Sequence, residues 1–107
     1  MLRVEFNENG SGGLTVRLIG RMVGPYAEDA RSALVHRRLP PSIIVDLSDV
    51  VFIDLFGEQV LLWLGRLGAT FVADNNVYAR SVCEDLQLRV SEEPGAVEPG
   101  KDASVLP

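Results

Sequence analysis

The sequence predicts a single α/β domain: a mixed sheet of about four strands carrying three to four helices. Three observations point there. Apolar residues alternate with polar ones over the first twenty positions. They then recur at spacings of three and four, and two short apolar runs, SIIVDL and ATFVA, each follow a helix-like segment. With 107 residues, 47% of them hydrophobic, the chain can fill one compact core and is too short for two domains of ordinary size.

The elements follow in order. Leu2, Val4 and Phe6 alternate with Arg3, Glu5 and Asn7, a half-buried strand with one wet face. Asn9-Gly10-Ser11-Gly12-Gly13 supplies a turn, and Leu14, Val16 and Leu18 resume the alternation against Thr15 and Arg17, so the chain opens on a hairpin. From Gly24-Pro25 the period changes: Pro suits the first turn of a helix, and Ala27, Ala30, Ala33 and Leu34 make its apolar side. Glu28 and Asp29 are expected in the first turn and His36, Arg37 and Arg38 in the last, as the helix dipole prefers, with Pro40-Pro41 as the stop.

SIIVDL, residues 42 to 47, is apolar on consecutive positions and reads as a central strand covered on both faces. A Ser48-Asp49 turn and the apolar connector VVFI are expected to lead into a second helix with Val60, Leu61, Leu64 and Leu67 along one side and Gly68 at its end. ATFVA, residues 69 to 73, gives another buried strand. Asp74-Asn75-Asn76 offers turn and N-cap chemistry, and Tyr78, Val82, Cys83 and Leu86 make the buried stripe of a third helix. Parallel strands joined through helices require right-handed crossovers. Beyond the domain, residues 1 to 91, the segment 92 to 107 is rich in Pro and Gly and poor in periodic apolar residues, and is expected to be a disordered tail.

Composition narrows the function. Ten basic against 15 acidic residues, net -5, leave no electrostatic footprint for nucleic acid. One cysteine, Cys83, cannot form an internal disulfide, so a reducing, cytoplasmic setting is the expectation. The N-terminus lacks the layout of a signal peptide, and no apolar run approaches the roughly 18 residues that direct membrane insertion requires. One His, one Cys and no Gly-rich phosphate loop supply neither a nucleophile and base nor a metal set, so no catalysis, cofactor or metal is expected. Asp46 and Asp54 are a carboxylate pair that would need a cleft to act as acid and base.

The stretch IIVDLSDVVFIDLFGEQVLLWL resembles the signature of STAS domains, the anti-sigma-factor-antagonist fold. That signature reads as an apolar strand, Asp-Leu-Ser-Gly, an apolar connector, Asp-Ser-Ser-Gly and an apolar helix. The likeness runs from about Leu2 to Leu88, through GRMVGPYAEDARSAL as loop and first helix and NNVYARSVCEDLQL as the third. It implies a STAS-like mixed sheet and a non-catalytic module that docks proteins at one end of that sheet. In signalling members a partner kinase, itself an anti-sigma factor, phosphorylates the second serine of Asp-Ser-Ser-Gly; other members are scaffold or lipid-transporter subunits.

Position by position, Asp54 and Gly57 match the motif, while Leu55 and Phe56 replace its serines, so the family's phosphorylation site carries no hydroxyl here. Gly20, Arg21, Met22 and Val23 stand where the family often has Gly-Glu-Leu-Asp, and Glu58-Gln59 where it commonly has Leu-Gly. The expected partner-binding residues are therefore Asp54, Leu55, Phe56, Gly57 and Glu58, with Met22 and Val23 of the preceding loop. Each also has a local explanation: Asp54 as an N-cap, Phe56 folded back on the second helix, Glu58 favoured by the helix dipole, Trp63 buried against the sheet. The partner implied is a protein, an anti-sigma-factor kinase or homologous regulator. A homodimer, an accessory subunit of a scaffold or transporter, and a small-ligand-binding module stay open.

Overall fold

The structure, a computed structural model, describes residues 1–91; the expected tail, residues 92–107, lies outside them. The elements run β1 (Leu2–Glu8), β2 (Leu14–Met22), α1 (Gly24–His36), β3 (Ile43–Ile53), α2 (Leu55–Arg66), β4 (Thr70–Val72) and α3 (Val77–Asp85). One sheet has the order β1-β2-β3-β4, antiparallel between β1 and β2 and parallel thereafter. Past α3, Arg89 and Ser91 bond to Phe71 and extend the sheet by a parallel bridge at Val90.

Period-two patterning decides which face is covered. Leu14, Val16 and Leu18 of β2 and Ile43, Val45 and Leu47 of β3 are buried and join Leu34, Leu64, Phe71 and Cys83 in one core. Between them Thr15, Arg17, Ile44 and Asp46 remain partly open to solvent. The central strand is thus covered on one face, not both: Ile44 and Asp46 are half-buried, which an unbroken apolar run in the sequence did not reveal. On the open face Arg17 bonds Asp49 and lies 3.8 Å from Glu5.

β3 is also longer than expected. The Ser48-Asp49 turn and VVFI connector are instead strand, and the register against β2 shifts twice, between Arg17 and Ile19 and between Gly20 and Arg21. These bulges turn Val50 inward and Val51 and Phe52 outward. Asn76 makes the irregularity tolerable. Its amide NH2 lies 3.0, 3.2 and 2.7 Å from the carbonyls of Leu47, Ser48 and Val50, while its side-chain oxygen accepts from Ala79 N–H as the N-cap of α3.

The helices otherwise follow their sequence signals, with several departures: α1 ends at His36, which leaves Arg37 and Arg38 beyond its last turn, and α2 ends at Arg66, which leaves Leu67 beyond it and exposed. α1 starts at Gly24, which moves Glu28 and Asp29 out of its first turn. Ala33 is exposed. Tyr78 is not part of a buried stripe; on α3 only Ala79 and Cys83 are fully buried. α2 ends as its sequence predicts, with Gly68 at φ +93.

Two tests address this packing. Asn76→Ala removes an N-cap and strands the carbonyls of the bulge, and should lower unfolding stability by about 2 to 3 kcal/mol in urea denaturation. Burial raises the Cys83 thiol from 9.0 to about 11, with a smaller upward push from Glu84 against a downward one from Arg80. The proton is therefore held more tightly folded than unfolded: its contribution is intact below pH 9 and is lost as pH rises toward 11. Thiol reagents should label Cys83 at neutral pH only when the chain unfolds, and stability should fall across that alkaline window less steeply in Cys83→Ala.

Candidate functional site

The parallel strands β2, β3 and β4 all end at one edge of the sheet, so the loops into α1, α2 and α3 gather there. Asp54, between β3 and α2, ties two of these loops together. Its Oδ1 accepts from Gly57 N–H at 3.0 Å and caps α2. Its Oδ2 accepts from Gly24 N–H, also at 3.0 Å. α1 has no side-chain cap of its own, because its N-cap position is Val23, and Asp54 serves it from across the sheet. The backbone joins in: Asp54 N–H donates to Met22 C=O at 3.1 Å, and Glu58 N–H to Asp54 C=O at 2.9 Å.

Two glycines make this approach feasible. Gly24 sits at φ +48, where a residue with a Cβ is strained by about 1–2 kcal/mol. Gly57 is buried, and a Cβ there would lie 2.4 Å from the carbonyl oxygen of Met22. Met22 itself is fully buried, so this predicted site residue belongs to the core on which α2 rests. Val23, half-buried, is the whole connection between β2 and α1, and Arg21 at the end of the strand and Pro25 and Tyr26 at the start of the helix are exposed.

The next two residues behave differently. Leu55 is 66% exposed and Phe56 58%, so the ring is not folded away. Phe56 lies along a shallow crevice between α1 and α2, shared with Glu28, Arg31, Gln59, Trp63 and Arg66. Glu28 and Arg31 are paired there at 2.9 Å, which holds the Glu28 carboxyl below its usual range. Trp63 is half-buried, packed on the core and open to the crevice. Glu58 occupies the first turn of α2, half-buried.

Sequence reasoning missed half of the apolar surface at this end. Val51 and Phe52 emerge from the bulged end of β3, and Val77 and Tyr78 from the start of α3. The Phe52 and Tyr78 rings are parallel, their centroids 6.4 Å apart, and the Arg21 guanidinium lies 5.3 Å from the Phe52 centroid. Beyond β4, which pairs only as far as Asp46, the Tyr78 hydroxyl accepts from Ile53 N–H (2.9 Å) and donates to Ile53 C=O (3.2 Å), closing the open strand edge. The signal was present: four consecutive apolar residues in VVFI cannot all point into a sheet covered on one face.

Asp54→Ala should cost about 2–3 kcal/mol by removing caps from two helices. Asp54→Asn, which keeps one acceptor oxygen, should lose about half as much, and hydrogen exchange should show faster opening of the first turns of both α1 and α2 in either variant.

No protein-family profile matches the sequence, and no curated protein matches it. Solved structures do. An anti-sigma factor antagonist from Mycobacterium paratuberculosis superposes with a TM-score of 0.66 at 21% identity, over 87% of each chain. The anti-sigma factor antagonist SpoIIAA in its unphosphorylated form superposes with a TM-score of 0.62 at 14% identity, over 86% of this chain and 90% of the other. The single four-stranded mixed sheet, its three helices and the order in which they alternate give this chain the fold of the anti-sigma factor antagonists, the STAS fold.

Proposed function

We propose that the protein is a non-catalytic interaction module of the anti-sigma-factor-antagonist type, which docks a regulatory protein on the apolar end of its sheet. One observation carries this reading: Leu55 and Phe56, side by side at the start of α2, are both more than half exposed although their backbone is held by Asp54 and Gly57. Exposed aromatic and aliphatic side chains on a rigid turn lose little entropy when a partner covers them, which is what an interface anchor needs. Val51, Phe52 and Tyr26 widen the patch, and Val23 lies half-buried at its border. The fold shared with anti-sigma factor antagonists supports a module of that type.

On this reading Asp54, Gly57 and Met22 position the contact, and Leu55, Phe56 and Glu58 make it. Phe56 has no hydroxyl to accept a phosphate, so the contact is not governed by phosphorylation at that position. The partner is a protein, an anti-sigma-factor kinase or a related regulator, and the setting is the bacterial cytoplasm. No helix of the described residues is long and apolar enough to cross a membrane.

Phe56→Asp places a carboxylate in the contact without touching the caps. Its unfolding midpoint should match wild type, while affinity for the ATPase-type kinase of the source organism, measured by calorimetry, should fall at least tenfold. Equal binding by both proteins would remove the turn from the interface. Binding of wild type to membrane-transporter subunits instead, or a ligand-dependent rise in melting temperature, would favour an accessory subunit or a ligand-binding module.

A further inference from the structure

Among the described residues, the outer strand of the sheet has a neighbour on one side only. β1, LRVEFNE, pairs with β2 over its whole length without a bulge, and it contains neither proline nor lysine, which commonly discourage edge pairing. Which backbone groups it leaves free follows from the hydrogen bonds at its two ends. Arg21 N–H donates to Met1 C=O (3.0 Å) and Asn9 N–H to Gly13 C=O (2.8 Å), so odd-numbered residues turn their backbone toward β2. The even-numbered residues, Leu2, Val4, Phe6 and Glu8, aim theirs outward. The side chains divide by the same parity. Leu2, Val4 and Phe6 lie partly buried against the core, while Arg3 and Glu5 stand on the other face, 2.8 Å apart.

We propose that β1 pairs antiparallel with β1 of a second copy of this chain, about a two-fold axis at Val4. Bonded positions in such a pairing must join even-numbered residues, because only these carry free groups. Several registers satisfy that condition, and charge selects among them. With the axis at Val4, Leu2 faces Phe6 of the second copy and Val4 faces Val4, each pair exchanging two hydrogen bonds on the helix-covered face. Between them Arg3 faces Glu5 of the second copy, twice by symmetry, at the closely spaced non-bonded positions. Moving the axis to Glu5 sets two carboxylates opposite each other; moving it to Arg3 sets two guanidinium groups opposite. Apolar contact and charge complementarity thus agree on one register. The axis stands perpendicular to the sheet, so the helices of both copies share one face and the two docking ends point in opposite directions.

Sedimentation equilibrium of the full chain tests this, with the monomer mass at 11.7 kDa. Wild type should approach twice that mass with rising concentration. Val4→Pro removes an outward N–H on an edge strand, a position that tolerates proline, and exchanges a partly buried side chain for another apolar one; it should give a monomer with an unchanged circular dichroism spectrum. Arg3→Glu should weaken the dimer about tenfold, and the double exchange Arg3→Glu with Glu5→Arg should restore it. A monomer at every concentration, or a dimer indifferent to Val4→Pro, overturns the edge pairing. A dimer lost in Val4→Pro but indifferent to the charge exchange overturns the register.

Discussion

One carboxylate holds together the end of the sheet where the loops into α1 and α2 meet. Asp54 accepts from the N-terminus of α2 through one oxygen and from the N-terminus of α1 through the other, and its own N–H is spent on Met22. Both helix dipoles present their positive ends to it, so charge and hydrogen bonding act in the same sense. The geometry leaves no room for error. α2 can reach this position only because Gly57 has no side chain to strike the Met22 carbonyl, and Gly24 can offer its N–H only from a left-handed backbone. Met22, buried beneath, is the surface against which both loops are set.

A second polar centre plays the matching role across β3. β4 is too short to pair with the far half of that strand, which leaves carbonyls of a bulged backbone without a strand partner. Asn76 and Tyr78, at the start of α3, answer them with side-chain atoms in place of a ladder. This solution has a surface consequence. Bulging turns Val51 and Phe52 away from the core, and Tyr78 can reach Ile53 only by lying along the edge, its ring parallel to Phe52. The apolar end of the sheet is therefore partly a by-product of how the end is closed. Leu55 and Phe56 are not: they follow Asp54 in the chain, and the caps need nothing from their side chains.

The legible parts of the sequence were those where one physical signal acts alone. Alternation gave the hairpin, the spacing of Ala27, Ala30 and Leu34 gave α1, and Asp54, Asn76 and Gly68 marked helix ends by chemistry that requires few neighbours. β3 was misread because an unbroken apolar run looks the same whether one face or two are covered, and because a bulge shifts parity without leaving a local mark. The Asp54 cap on α2 was readable for being three residues away; its bond to Gly24 spans thirty positions, and no periodicity encodes it. Tyr78 failed for a related reason. Its helical spacing fits a buried stripe, while its hydroxyl seeks a backbone that only the tertiary fold brings near.

On the proposed reading, what would separate this turn from a phosphate switch is the sign of the energy at stake. A phosphoryl group near the start of α2 adds about -1.5 to -2 charges beside the Asp54 carboxylate, so a serine at this turn can be made to repel a partner it formerly accepted. A Leu-Phe pair has one state. Covering side chains that are 66% and 58% exposed yields something near half to two-thirds of the roughly 1.5–3 kcal/mol that full burial of each would give, about 1.5–4 kcal/mol together. That corresponds to between tenfold and several hundredfold in affinity, before the cost of ordering the partner. On the proposed reading such a contact is always available, so control over it would lie in the partner or in the concentrations of the two proteins, and not in the charge of this turn.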